Sequence, residues 1–227
     1  MEFDTVFFSN GKHVYTQPAG GMGSGVFAAD YFDAGETLLT LKIDDEYSEI
    51  LPWAESFDSC FEYGITLVPG FAFCPKPTHP FRYINHSCNP NCGFIHWGTL
   101  VDEVYLPIIA YKPIVPHTQL FLDYALITTP NEGSPAGDPW KMICLCGESN
   151  CRKVISGFDT LPQPEQLHIL LRDIKGMPGM VLAHMLDGRD DLLAEFARLS
   201  PELFADFLRA LEYQKECARR LADAIRV

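Results

Sequence analysis

Up to about Ile127, apolar residues come in short runs: VFF, GVFAA, TLLTLKI, ITLV, VYLPIIAY and LFLDYALI. These runs are rich in β-branched and aromatic residues and are punctuated by Gly and Pro, which predicts many short strands. From about Pro164 the period changes. Leu167, Leu170, Leu171 and Ile174 fall at i, i+3, i+4 and i+7, predicting a helix that Gly176 stops. Further on, Ser200-Pro201-Glu202 supplies an N-cap, a first-turn proline and a first-turn acid. Phe204, Phe207, Leu208, Leu211, Ala218, Leu221 and Ile225 then share one face, so a final helix of about 25 residues is expected. Between the two textures lies ITTPNEGSPAGDPW (127–140), a Pro/Gly/Ser-rich loop.

Composition narrows the class. The 227 residues are 47% hydrophobic and 21% charged, enough to bury a substantial core as one domain with an appended element or as two small domains. No stretch approaches eighteen consecutive apolar residues, and the start MEFDTVFFSNGK lacks the pattern of a signal peptide. An intracellular protein, cytoplasmic or nuclear and without membrane contact, is therefore expected. Eight cysteines are too sparse for a disulfide scaffold and read as metal ligands or free thiols.

The net charge of −13 argues against direct binding of nucleic acid, which needs clustered Lys and Arg. The acidity is uneven. Residues 160–227 hold 11 acids against 9 bases, leaving 19 acids against 8 bases before them. Seven acids (Asp44, Asp45, Glu46, Glu49, Glu55, Asp58 and Glu62) face the single base Lys42 within residues 42–62. That stretch is either a solvated loop or a cation-attracting wall beside a site.

Three features carry chemistry. CLCGESNC places Cys144, Cys146 and Cys151 at a spacing that can converge on one tetrahedral zinc, with Gly147 at the turn. A closed site needs a fourth ligand, for which Cys88 is the candidate and Cys92 the alternative; otherwise these are three ordinary thiols. GGMGSGVFAADYFDAGETL (20–38) has a glycine-rich start before an apolar strand. It is neither a P-loop nor a dinucleotide fingerprint, and by itself fits a hairpin turn. The third is QLFLDYA (119–125), where Asp123-Tyr124 ends a strand. A fourth stretch, RYINHSCNPNC (82–92), is too dense in hydrogen-bonding groups for ordinary core and too apolar at Tyr83 and Ile84 for a free loop.

Taken in order, Gly23-Ser24-Gly25-Val26-Phe27-Ala28, Arg82 to Asn91, Leu122-Asp123-Tyr124 and Cys144 to Arg152 resemble the SET-domain lysine methyltransferases with a post-SET zinc motif. The resemblance covers about residues 10–157. It implies a mainly β fold with some α: a SET domain of short strands over 10–127 and a post-SET zinc motif over 140–157. A helical C-terminal extension over 160–227 lies outside the likeness. It implies a pseudoknot-like crossing, an exception to the rule against threading. In such enzymes Asn85 and His86 would meet S-adenosylmethionine, and Gly23, Ser24 and Gly25 would line its amino-acid end. Cys88 would join Cys144, Cys146 and Cys151 on a structural zinc. Tyr124 would contact the cofactor and position the methyl or amine, with Tyr63 a second channel residue, and Leu122 would set how many methyl groups are added. Asp123 is expected to support the strand rather than the chemistry.

The chemistry asks for a neutral amine, held in line with a methyl–sulfur bond. Desolvation and a neighbouring sulfonium both favour the neutral form. The expected substrate is a basic lysine-containing protein or peptide, with S-adenosylhomocysteine as the second product. A free lysine or similar small amine is the alternative, and a non-catalytic SET-fold binding protein is a further one. Departures from the family pattern are Leu122 where Phe or Tyr is usual, no Cys-rich segment before the domain, and a short insertion between Leu41 and Tyr63. Val154 stands where an aromatic is usual, with Phe158 the nearest ring. The helical extension is read as a packing cap, or alternatively as a dimer or partner surface.

Overall fold

The computed structural model describes residues 5–9, 11–42, 48–52, 64–68, 71–94, 105–127, 141–173, 186 and 188–225. Strands β1 (Thr5–Ser9), β2 (Lys12–Pro18) and β3 (Ser24–Ala28) form an antiparallel meander. Its register puts Val14 opposite Ala28 and Thr16 opposite Val26, so the apolar face of this sheet turns inward. A second sheet runs β4 (Thr37–Lys42), β10 (Tyr105–Ala110), β9 (Cys92–Phe94). Here Leu38 and Leu39 are both fully buried although successive side chains point to opposite faces, so β4 is covered on both sides. A third sheet runs β5 (Ser48–Pro52), β7 (Phe71–Pro75), β6 (Ile65–Val68). Phe32, Leu38, Leu39, Phe73, Ile108, Ile114 and Leu120 fill the space that the sheets enclose.

Two short pairs complete the β portion. β8 (Asn85–His86) lies parallel to β11 (Phe121–Leu122), and β12 (Lys141–Ile143) forms a hairpin with β13 (Val154–Ser156). The short strands expected from the apolar runs are therefore present, and among the described residues none exceeds seven residues.

The helices follow at the C-terminal end: α1 (Gln163–Asp173), α2 (Asp190–Leu199) and α3 (Pro201–Ile225). The last is the expected 25-residue helix, starting at the proline. The first ends at Asp173, so Ile174 and the stop at Gly176 lie outside the described residues. Helix α2 was not expected from the sequence, although Leu192 and Phe196 sit one turn apart on its buried face and Asp190 and Asp191 favour its N-terminus.

These helices share a second core. Leu170, Leu192, Phe196 and Phe207 pack with Phe158, and also with Ala125 and Leu126 from the turn that follows Tyr124. The extension therefore caps the β body beside the segment that carries Tyr124. Among the described residues no helix is long and apolar enough to cross a membrane.

Candidate active site and metal centre

The density of polar groups in RYINHSCNPNC is explained at the β8–β11 pair. Phe121 stands opposite Asn85 and Leu122 opposite His86, and the Ser87 amide donates to the Leu122 carbonyl at 2.9 Å. Asn91 locks the same meeting. Its Nδ2 donates to the Gln119 carbonyl at 2.8 Å, and its Oδ1 accepts from the Phe121 amide at 2.8 Å. A short polar side chain thus replaces ladder hydrogen bonds where two segments meet without a sheet around them.

Asn85 reaches across to the glycine-rich strand, its Nδ2 donating to the Ser24 carbonyl at 2.8 Å. That bond brings together two of the expected cofactor elements. The glycines there serve different ends. Gly23 has φ +75°, a conformation that side chains disfavour, with open space where a Cβ would point. At Gly25 a Cβ would lie 2.5 Å from the Gln119 Nε2, so this glycine makes room for a neighbouring side chain. The Gln119 Nε2 is buried with no partner. The open space at Gly23 leaves room for a ligand at this end of β3.

His86 is buried, and burial lowers its pKa to about 4, so the imidazole is neutral near pH 7. Its Nδ1 accepts from the Tyr124 amide at 3.1 Å, which leaves Nε2 carrying the proton and facing the Cys88 Sγ at 3.4 Å. One ring therefore fixes the backbone at Tyr124 and supports a candidate metal ligand. The half-buried Tyr124 packs its ring 5.4 Å from that of His86, and its hydroxyl donates to the Ile84 carbonyl at 2.8 Å. Leu122 is buried in the main core, with Tyr124 packed against the same cluster. Tyr63 and the acids from Asp44 to Glu62 lie outside the described residues, except Glu49, which sits in β5.

The Sγ atoms of Cys88, Cys144, Cys146 and Cys151 all lie within 4.8 Å of one another. Cys88 and Cys144 are 3.7 Å apart. Zinc–thiolate bonds of about 2.3 Å in a tetrahedron place sulfurs about 3.8 Å apart, so this donor set fits zinc in number, type and spacing. Backbone amides of Arg152 and Lys153 point at Cys88 Sγ (3.3 Å) and Cys151 Sγ (3.4 Å), which suits thiolates. Cys92, the alternative ligand, stands apart. It is fully buried, its thiol donates to the Phe121 carbonyl at 3.3 Å, and burial pushes its pKa up to about 12. Among the described cysteines, Cys74 departs from the expectation of ligands and free thiols: it is disulfide-bonded.

Asp123 proves to be the hub of the site. Its side chain is fully buried, and Oδ1 caps the turn that carries Tyr124 by accepting from the Ala125 amide at 3.1 Å. The Arg152 guanidinium grips both carboxylate oxygens, and Arg172 Nη2 donates to Oδ2 at 3.3 Å. Burial alone would raise the Asp123 pKa; the pairing with Arg152, and the charge of Arg172 beyond it, holds it below the usual carboxylate value. The sequence points to a supporting role for Asp123 but pairs it with neither arginine. Arg152 was visible as the residue closing the cysteine run; Arg172 had no local signal. Phe158, the aromatic nearest the expected position, is fully buried in the second core, and the half-exposed Val154 occupies the position itself.

Residues 23–125 match the family model of the SET domain. Among curated proteins, it is 31% identical over 153 residues to the histone-lysine N-methyltransferase ASHH1 of Arabidopsis thaliana, covering 61% of this chain and 26% of that protein. It is 41% identical over 80 residues to the H3 lysine-9 specific histone-lysine N-methyltransferase dim-5 of Neurospora crassa, covering 32% and 24%. The chain thus spans about a quarter of these relatives' length. A crystal structure of Arabidopsis thaliana SUVH6 in complex with SAM is similar at a TM-score of 0.49 and 19% identity, over 63% of this chain and 33% of that one.

Proposed function

We propose that this protein is a lysine N-methyltransferase that uses S-adenosylmethionine and holds a structural zinc. The observation that carries this reading is the meeting of Ser24, Asn85, His86 and Tyr124 at the β8–β11 pair, directly beside four clustered thiols. When bound, S-adenosylmethionine supplies an electrophilic methyl on a sulfonium. Gly23, Ser24 and Gly25 would line its amino-acid end, with Asn85 and the backbone at His86 as further contacts. Tyr124 would use its hydroxyl, already fixed on the Ile84 carbonyl, to orient the amine and methyl. Tyr63 is a second channel residue in this reading. Cys88, Cys144, Cys146 and Cys151 would hold zinc in a closed site with no catalytic position.

The substrate we favour is a lysine in a basic protein, because the chain is strongly acidic and the named relatives are histone-lysine methyltransferases. An intracellular setting suits both thiolate-held zinc and such a substrate; the disulfide at Cys74 is the one feature that does not follow from it.

Leu122 favours di- or trimethyl product. After each transfer the nitrogen must lose a proton and turn a new lone pair toward the donor, which needs room. A Tyr here would fill that room with a ring and hold a water through its hydroxyl; Leu does neither. Mass spectrometry of a histone peptide over time should show wild type passing through mono- to di- or trimethyl product, and Leu122→Tyr stopping earlier. Wild type halting at one methyl under excess cofactor would refute the role given to Leu122, and a peptide left unmethylated would count against the substrate.

A further inference from the structure

Arg172 stands on α1, beyond the residues that match the SET family model, yet its side chain reaches the middle of the site. Nη1 donates to the Cys88 carbonyl at 3.0 Å and Nη2 to Asp123 Oδ2 at 3.3 Å. The two acceptors belong to different machinery. Cys88 is one of the clustered thiols, and Asp123 caps the turn of Tyr124. Asn150, from the cysteine loop, donates to the same Cys88 carbonyl at 3.1 Å, and the Arg152 amide meets the Cys88 sulfur. Cys88 and Asp123 are thus each held twice, once from the cysteine loop and once from the helical extension.

Charge gives this geometry a direction. Four thiolates around a divalent ion leave an excess of two negative charges, and the buried Asp123 adds a third. Among the described residues, Arg152 and Arg172 are the cations paired with Asp123, and a guanidinium stays protonated at any ordinary pH. Without Arg172 the thiolate cluster and Asp123 would share a single guanidinium in a partly dry setting, where uncompensated charge costs most.

We propose that Arg172 is a positioning residue that couples the helical extension to the zinc thiolates and to the turn of Tyr124, so that metal loading and docking of α1 stabilise each other. The inference rests on the zinc reading above. Coupling of this kind is reciprocal, which gives two independent measurements on the full-length chain. In the first, zinc passes from the loaded protein to the chelator 4-(2-pyridylazo)resorcinol. Arg172→Met should release it roughly 10- to 100-fold faster, the usual scale for losing a partner of a metal ligand. Arg172→Lys, which keeps the charge but not the planar fork, should fall between.

The second needs no variant, and so stands even if Arg172→Met folds poorly. Hydrogen exchange of the wild type should show the amides of Gln163–Asp173 losing protection when zinc is removed, while the β4–β10 pair keeps its own. An arginine that merely docked the helix would alter thermal stability and leave zinc release where it was. Release at the wild-type rate from Arg172→Met, or unchanged protection of α1 on zinc removal, would overturn the coupling alone. A wild-type chain that holds no zinc would end the zinc reading and the coupling together.

Discussion

Cys88→Ser should leave the purified protein with far less than one zinc per chain, while Cys92→Ser should retain a full complement. The two cysteines are four residues apart and both buried, so burial does not separate them; their surroundings do. The Cys88 sulfur stands 3.7 Å from that of Cys144, inside the four-thiol cluster, and receives N–H groups from Arg152 and His86. Serine at this point supplies a hard, protonated hydroxyl in place of a thiolate, which breaks a closed tetrahedral set. Structural zinc contributes folding free energy outright, so the β12–β13 hairpin and its loop should lose order with the metal. Cys92 instead donates to the Phe121 carbonyl, and a serine hydroxyl can make the same bond. Elemental analysis of both variants gives the answer, and equal loss of zinc from the two would refute the ligand set.

Asp123→Asn should lower the stability of the protein by about 3–5 kcal/mol, the usual cost of removing one partner from a buried ion pair. Asparagine keeps the shape and can still cap the Ala125 amide, but it leaves the Arg152 and Arg172 guanidiniums without their shared carboxylate. The Arg152 side chain is only 10% exposed, so water does little to replace the lost charge. Urea denaturation should show a lower midpoint with an unchanged slope, as expected when the native state is weakened and not reshaped. A change within about 1 kcal/mol, ordinary for a surface substitution, would remove Asp123 from the centre of this network.

Much of this molecule was legible in its sequence because its signals are local. Short β-branched runs become strands since alternate residues face a shared core, and the Ser-Pro-Glu start with its apolar stripe becomes the 25-residue α3. Cys88 was also legible, through the order and spacing of the motifs. What escaped depends on distance along the chain. Arg172 meets Asp123 across 49 residues, and a single arginine on a helix surface carries no mark of such a partner. The fate of Phe158 was hidden for the same reason. Only the packing of α1, α2 and α3 around it shows that the ring belongs to the second core. The packing at Gly25 was hidden in the same way, since its lack of a side chain makes room for Gln119, which lies far from it in sequence.

The proposed reaction is transfer of a methyl group from S-adenosylmethionine to a lysine of a protein, with Tyr124 at the reacting centre. Its most direct test is incubation of zinc-loaded protein and methyl-labelled S-adenosylmethionine with core histones and, separately, with free lysine. Label should enter histone lysines. Tyr124→Phe, which retains the ring beside His86 but not the hydroxyl, should transfer about 100-fold less while binding the cofactor as well as wild type. Label on free lysine alone, label on neither, or undiminished transfer by Tyr124→Phe would contradict it.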